Sequence, residues 1–302
     1  MLRTTRVSST SHVICSQRAA CVSSPKMVCR SGSGRIDSRL NNRFGSSYIP
    51  RVYQKSRSVQ GRRLNVILRA SWNDVTFGPA KVVEQKKIAN GMHRLLVDVS
   101  ADVSKGYTVP GQFVQIKVEE SKPGFFAIAS PPDVNNAGMV ELLVKNAGET
   151  AEKLCVLDAG SEISVSDVMG KGFPLDRIPS NEYHTVYIFA TGSGVSPIKA
   201  IIESDALKAK ERKLVKLYYG AKSRDSMAYA DSLEEWKKLY GVEVEPVFSE
   251  TGVYVQDAFA KENPALGPGV AAIVCGQKEM AEAVRSMFAE AGIDADLILT
   301  NF

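Results

Sequence analysis

The 302-residue sequence predicts an α+β chain of two domains, an N-terminal antiparallel β-barrel followed by an α/β domain on a parallel sheet. Three observations predict it. From Trp72 to about Leu175, short apolar or alternating runs are separated by clusters of Gly, Pro, Asn and Asp. After Pro179 the rhythm changes to apolar strands alternating with helical stretches, the mark of a parallel sheet covered on both faces. The first 70 residues differ from both parts in composition.

That leader holds 12 Arg and 2 Lys against the single acid Asp37, a net charge of +13. The remaining 232 residues carry 24 basic and 32 acidic side chains, or −8. The overall +5 therefore belongs to the leader, and a core that binds nucleic acid is not expected. Thirteen Ser among 70 residues, abundant Arg and no apolar block read as an organelle transit peptide, expected to be unstructured. Cleavage is expected near Ala70, at the end of Val66-Ile-Leu-Arg-Ala70, with delivery to the chloroplast stroma and the mitochondrion as the alternative. A persistent basic arm binding RNA or lipid is the competing reading. The expected divisions are 1–70 leader, 71–178 barrel and 179–302 α/β domain.

In the barrel the strands are expected at Ala80–Glu84, His93–Val99, Phe113–Val118, Val140–Val144 and Glu162–Val165, with one helix over Glu149–Leu157. In the second domain, strand Thr185–Ala190 runs into Thr191-Gly-Ser-Gly-Val-Ser-Pro197 and a helix over about Ser196–Lys208. Then come strand Leu214–Tyr219, helix Ser232–Leu239, strand Val242–Phe248 and helix Val255–Phe259. Strand Ala271–Cys275, helix Lys278–Ala291 and strand Asp296–Asn301 complete the series.

The glycine-rich turn after the first α/β strand carries the most chemistry. Glycines permit a tight turn and close approach of a diphosphate, and the following helix directs free N–H groups at the anion. Ser196 and Pro197 suit the N-cap and first helical positions. Of the five cysteines, Cys15, Cys21 and Cys29 fall in the leader, and Cys155 and Cys275 lack disulfide or metal spacing. His12 lies in the leader, and His93 and His184 have no companions, so no metal site is expected. No apolar run is long enough to span a bilayer.

Gly192-Ser-Gly-Val-Ser-Pro197 resembles the nucleotide loop of the ferredoxin–NADP reductase superfamily of FAD- and NAD(P)-binding oxidoreductases. Leu217-Tyr-Tyr-Gly-Ala221, with Tyr229-Ala-Asp-Ser-Leu-Glu-Glu235 after it, resembles the family's next strand and helix. Val274-Cys-Gly-Gln-Lys-Glu-Met280 and Pro110-Gly-Gln-Phe-Val114 agree as well, so the resemblance covers about residues 76–302. It is nearest to a plant plastid reductase-like branch that includes a kiwifruit fruit protein.

The resemblance implies a nicotinamide dinucleotide, NADP or NAD, on Thr191, Gly192, Ser193, Gly194, Val195, Ser196 and Pro197. It places Cys275 beside the nicotinamide, with Gly276 and Met280 in the same element, Met280 as packing. It also implies FAD, with Phe302 shielding one flavin face and Phe126, Ala127 and Ile128 on the flavin strand. Here the sequence departs from the family. Gly124 stands where relatives carry a phosphate-binding Arg, Phe126 replaces a stacking Tyr, and Ala127 replaces a hydroxyl residue. A second flavin element, Lys145 with Gly148, Glu149, Thr150 and Ala151, resembles the family's phosphate turn, and Lys145 could supply the missing cation. Ser223 and Arg224, beside Lys222, are candidates for a ribose 2′-phosphate, although Asp225 opposes it and Ser249-Glu-Thr251 stands where the resemblance implies a Ser-Arg pair favouring NADPH.

The implied function is hydride passage between NAD(P)H and FAD, then electrons to an unidentified acceptor, a protein being one candidate. The net acidity of residues 71–302 argues against an acidic protein acceptor. The alternative is a reductase-fold protein without redox turnover, acting in the plastid as a nucleotide-responsive binding or assembly factor.

Overall fold

The computed structural model of the chain describes residues 75–132 and 138–301. The leader, its cleavage site and Phe302 lie outside the described residues. The first sheet contains β1 (Phe77–Ala89), β2 (Met92–Asp98), β3 (Phe113–Lys117), β4 (Gly124–Ala127), β5 (Met139–Lys145) and β6 (Glu162–Ser166). Its order is β4-β3-β6-β1-β2-β5, all antiparallel where paired. An antiparallel bridge between Ile128 and Leu142 joins the two edges, so the sheet closes into the expected barrel.

β1 runs well beyond the expected Ala80–Glu84. Its first residues pair with β6 and its remainder with β2, with register shifts at Val82/Glu84 and Lys87/Ala89. Bulges of this kind bend a strand and break the period-two pattern, which hides its true length in the sequence. Two short helices cap the barrel. α1 (Ala101–Gly106), where the Ser100 hydroxyl accepts the Val103 N–H, is too short to show a helical period and was not expected. α2 (Glu149–Leu154) stops three residues before the expected end and buries Ala151 and Leu154 in the barrel core.

The second sheet is parallel. It contains β7 (Thr185–Thr191), β8 (Leu214–Ala221), β9 (Glu243–Phe248), β10 (Val270–Cys275) and β11 (Ile298–Leu299), in the order β11-β10-β7-β8-β9. The order reverses between β7 and β10, so the helices that follow these two strands lie on opposite faces and a topological switch point forms, where open α/β sheets take ligands. Helix α3 (Val195–Glu203) and α4 (Leu233–Glu235), the latter continued by a π-helical turn over Trp236–Tyr240, lie on one face. Helices α5 (Val255–Glu262) and α6 (Lys278–Glu290) cover the other.

Three expectations are corrected here. α3 ends at Glu203 and not near Lys208, because Asp205 and Lys208 adopt the left-handed conformation that breaks a helix. The final strand shrinks to Ile298–Leu299, because Ala295–Leu297 forms a 3₁₀ turn capped by the Asp294 carboxylate. Gly194, not Ser196, precedes α3 as its N-cap, since Gly192–Gly194 already winds as a 3₁₀ turn that leads straight into the helix.

Alternation along β7 and β10 decides what each face sees. Val186, Ile188, Ala190, Ala271, Ile273 and Cys275 point to the α3 side, while Tyr187, Phe189, Ala272 and Val274 point to the α5–α6 side. The α3-side core also takes in Met92 and Leu143 from the barrel, together with Phe173 and Ile178 from the connection. One apolar core is therefore shared between barrel and α/β sheet, and each fully buried side chain of this size contributes about 1.5–3 kcal/mol.

Candidate functional site

Where the two sheets meet, a cleft of about 1680 Å³ opens at the carboxyl ends of β7, β8 and β10. Its α/β wall is made by the loop after β7 and the turn after β10, which are packed backbone to backbone. A side chain at Gly194 would strike the Cys275 carbonyl, and one at Gly276, which has φ +150°, would strike the Thr191 hydroxyl. Thr191 Oγ1 accepts the Gln277 N–H at 2.9 Å. The glycines are thus required by close approach, and the paired turns leave Thr191, Gly192, Ser193, Gly194, Ser196, Pro197, Cys275, Gly276 and Met280 on the cleft wall.

Cys275 is buried, and its thiol is 3.9 Å from Asn301 Oδ1. Asn301 in turn donates from Nδ2 to the Gly111 carbonyl of the barrel at 3.0 Å. Burial pushes the Cys275 thiol up to about 12, so it is a neutral S–H at physiological pH. That protonation state suits a group that borders a reacting ring and excludes water; it does not suit a nucleophile.

The barrel wall carries Lys122, Gly124, Phe125, Phe126 and Ala127, with Lys145, Gly148, Glu149, Thr150 and Ala151 from the opposite edge. Phe126 lies opposite Val114 in the ladder, on the barrel-core side, and is 8% exposed. Its ring folds back over Gly124, with ring carbons 2.8 and 2.9 Å from where a Cβ at 124 would be. The place where a side chain at 124 would begin is therefore taken by this chain's own phenyl ring. The open ring is Phe125, 56% exposed and 5.9 Å from Phe113. Thr150 reaches the cleft, but its hydroxyl is committed elsewhere: it donates to the Lys122 carbonyl and lies 3.1 Å from Ser121 Oγ. It fixes the Lys122–Gly124 segment.

Four expected residues stand apart from the cleft. Ile128 and Val195 are fully buried, Ile128 in the barrel core and Val195 at the start of α3 in the core beneath it. Ser223 and Arg224 enter a 3₁₀ turn, where Ser223 and Ser226 pair through their hydroxyls at 3.1 Å, and the cleft is lined instead by Lys222 and Ser226. Phe302 lies outside the described residues.

The structure adds Tyr254, Gln256 and Lys122 to the cleft wall, which the sequence did not single out. At the β8–β9 end the wall includes Ser249, the exposed Tyr254 ring and Gln256, whose Oε1 is buried without a partner among the described residues. Lys122 and Lys145 are exposed and form no ion pair among the described residues. A buried charged cluster also crosses the domain boundary, with the Glu141 carboxylate meeting Arg94, Lys199 and Tyr229. The available signal was a Glu inside the otherwise apolar run Val140–Val144, and a Lys among the isoleucines of α3.

Comparison with known proteins places this arrangement. A family profile described as "Oxidoreductase NAD-binding domain" matches residues 188–286, from β7 into α6. The fruit protein pKIWI502 of Actinidia deliciosa is 33% identical over 232 residues, covering 70% of this chain and 73% of that one. The electron transfer subunit of dihydroorotate dehydrogenase B (NAD(+)) from Listeria innocua is 27% identical over 216 residues, covering 70% and 78%. A ferredoxin NADP+ reductase of Neisseria gonorrhoeae, solved with bound FAD and NADP, superposes with a TM-score of 0.61 at 16% identity, covering 72% of this chain and 92% of that one. With the fruit protein matched across both domains and the same barrel-plus-sheet fold in the solved reductase, this chain belongs to the ferredoxin–NADP reductase superfamily of FAD/NAD(P)-binding oxidoreductases.

Proposed function

We propose that this chain oxidises NAD(P)H at the cleft, with FAD held by the barrel as the immediate hydride acceptor and electrons leaving to a further acceptor. The observation that carries the reading is a single cleft shared by the Thr191–Pro197 loop, Cys275 and the β4 strand. The residues fit a flavin dinucleotide. Lys122 and Lys145 offer charge for a diphosphate, and Phe113 and Phe125 offer apolar surface for a planar heterocycle. Bound FAD would supply a two-electron centre able to give up electrons singly or in pairs.

The chain's own residues orient and shield. The Thr191–Gly194 turn receives the nicotinamide diphosphate, and Cys275 borders the nicotinamide as a neutral thiol. Tyr254 offers a stacking face and Gln256 a free acceptor for the adenine. Lys222, with Ser226 and Ser249, is the group positioned for a ribose 2′-phosphate, which favours NADPH over NADH. Neither the relatives nor the cleft lends support to a non-redox assembly factor. The test is optical: the purified chain should carry flavin absorbance that bleaches on adding NADPH, and a colourless chain that ignores added FAD would overturn the proposal.

We further propose import into the chloroplast stroma by residues 1–70, with cleavage near Ala70. The Ser- and Arg-rich, acid-poor composition supports this. The N-terminal sequence of the protein recovered from plastids should begin near residue 71, and recovery from mitochondria would overturn it.

A further inference from the structure

One residue holds both walls of the cleft. The main chain of Glu141, on β5, clamps the continuation of β4: Ala129 N–H donates to the Glu141 carbonyl at 2.8 Å, and Glu141 N–H donates to Ser130 Oγ at 3.0 Å. Its carboxylate points outward from the barrel into the α/β domain. There it receives the Tyr229 hydroxyl at 2.9 Å and lies 3.4 Å from the Lys199 ammonium of α3, while Arg94 Nε approaches from β2 at 3.0 Å. The cluster continues inward. Lys199 also pairs with Glu203 at 2.6 Å, Glu203 accepts the Trp236 indole N–H at 3.1 Å, and Lys199 lies over the Tyr229 ring.

These groups are largely withdrawn from water, with Glu141 and Lys199 side chains 9% and 10% exposed. A buried carboxylate between two cations is rarely the cheapest way to fill space, because an apolar residue avoids the desolvation cost. What such a cluster provides is geometry: fixed directions and lengths that apolar contacts do not impose. Here the geometry runs between β4, the strand at the flavin wall, and α3, which grows directly out of the Gly192–Gly194 turn.

We propose that Glu141 is a positioning residue for the reaction proposed above. Through Lys199 and Tyr229 it sets the distance and tilt of the nicotinamide loop relative to β4. The inference rests on that reading of the cleft. It assigns Glu141 no contact with either dinucleotide, since neither Glu141 nor Lys199 lines the cleft. Reaction in such a site depends on alignment so steeply that a displacement near 1 Å costs about 100-fold.

The experiment uses the full chain with two variants, Glu141→Gln, which keeps shape and the backbone clamps, and Lys199→Met. In the ligand-free state, hydrogen exchange of the amides spanning 192–199 should quicken about 10-fold in both, with β10 unchanged. In flavin-loaded protein, the affinity for NADPH should stay within about threefold of wild type, while flavin reduction at saturating NADPH slows about 10- to 100-fold. The long-wavelength absorbance formed when NADPH stacks on oxidised flavin should weaken in parallel. Folded variants reduced at the wild-type rate would overturn the inference. So would equal losses of flavin, nucleotide affinity and rate, which would assign the cluster to folding. A wild-type chain that takes up neither flavin nor nucleotide would instead overturn the underlying reading, and this inference with it.

Discussion

The hydroxyl of Ser196 donates to the Ala127 carbonyl at 2.9 Å, fastening the first turn of α3 to the last residue of β4. The contact explains why a residue expected as a helix cap is turned the other way: its partner is in the other domain. Ser196→Ala removes the donor to a part-buried carbonyl, a loss of about 0.5–1.5 kcal/mol. Urea midpoints should fall accordingly, and flavin reduction should slow while nucleotide affinity changes little.

Gly124 and Phe126 are coupled. Gly124→Arg, which restores the residue type of the wider family, must expel the Phe126 ring that occupies the same space. Overpacking of this kind costs about 1–3 kcal/mol. The double variant with Phe126→Ala should recover part of that loss, so a double-mutant cycle in urea should give a clear coupling energy. Additive losses would refute the coupling.

The thiol of Cys275 links stability to pH. Burial raises it from an ordinary value of 9.0 to about 12, so the folded chain holds this proton more tightly than the unfolded chain does. Its contribution is complete below about pH 9 and disappears as pH rises toward about 12. Cys155, raised by burial and Glu152 to about 11, acts in the same direction. Stability measured from pH 8 to 11 should decline above about 9, with a smaller decline in Cys275→Ala. Iodoacetamide labelling of Cys275 should also be slow at pH 8, since the thiolate is the reactive form.

Nucleotide preference should follow Lys222 and not Arg224. Lys222→Ala is expected to raise the KM for NADPH about 10-fold with little effect on NADH, while Arg224→Ala leaves both nearly unchanged. Steady-state kinetics with the two nucleotides decides it, and an equal loss with both would remove Lys222 from the 2′-phosphate role.

Sequence periodicity exposed the α/β domain well, because parallel strands buried on both faces read as continuous apolar runs such as Val186–Ala190. The barrel was legible in kind and less so in extent, since bulges in β1 disturb the alternation. The glycine loop and Cys275 were found by local pattern, and they do meet in space. Ser223 and Arg224 lie off the wall that Lys222 and Ser226 line, and adjacency in sequence cannot show which residues of a 3₁₀ turn face a cleft. The ring of Phe126 over Gly124, the bridge from Asn301 to Gly111 and the Glu141 cluster join residues distant in the chain or depend on a side-chain direction. No single-sequence pattern encodes those.

The shared core has a consequence for how the chain can be divided. Met92 and Leu143 belong to the barrel by sequence, yet they are part of the same buried core as Ile198 and Ile201 of α3. A cut near residue 178 would leave a bare apolar face on each piece, and a charged Glu141 on one fragment without its Lys199 on the other. Barrel and sheet should therefore melt in one transition and resist expression as halves. The spacing between the two walls of the cleft is then inherited from folding, before any nucleotide arrives.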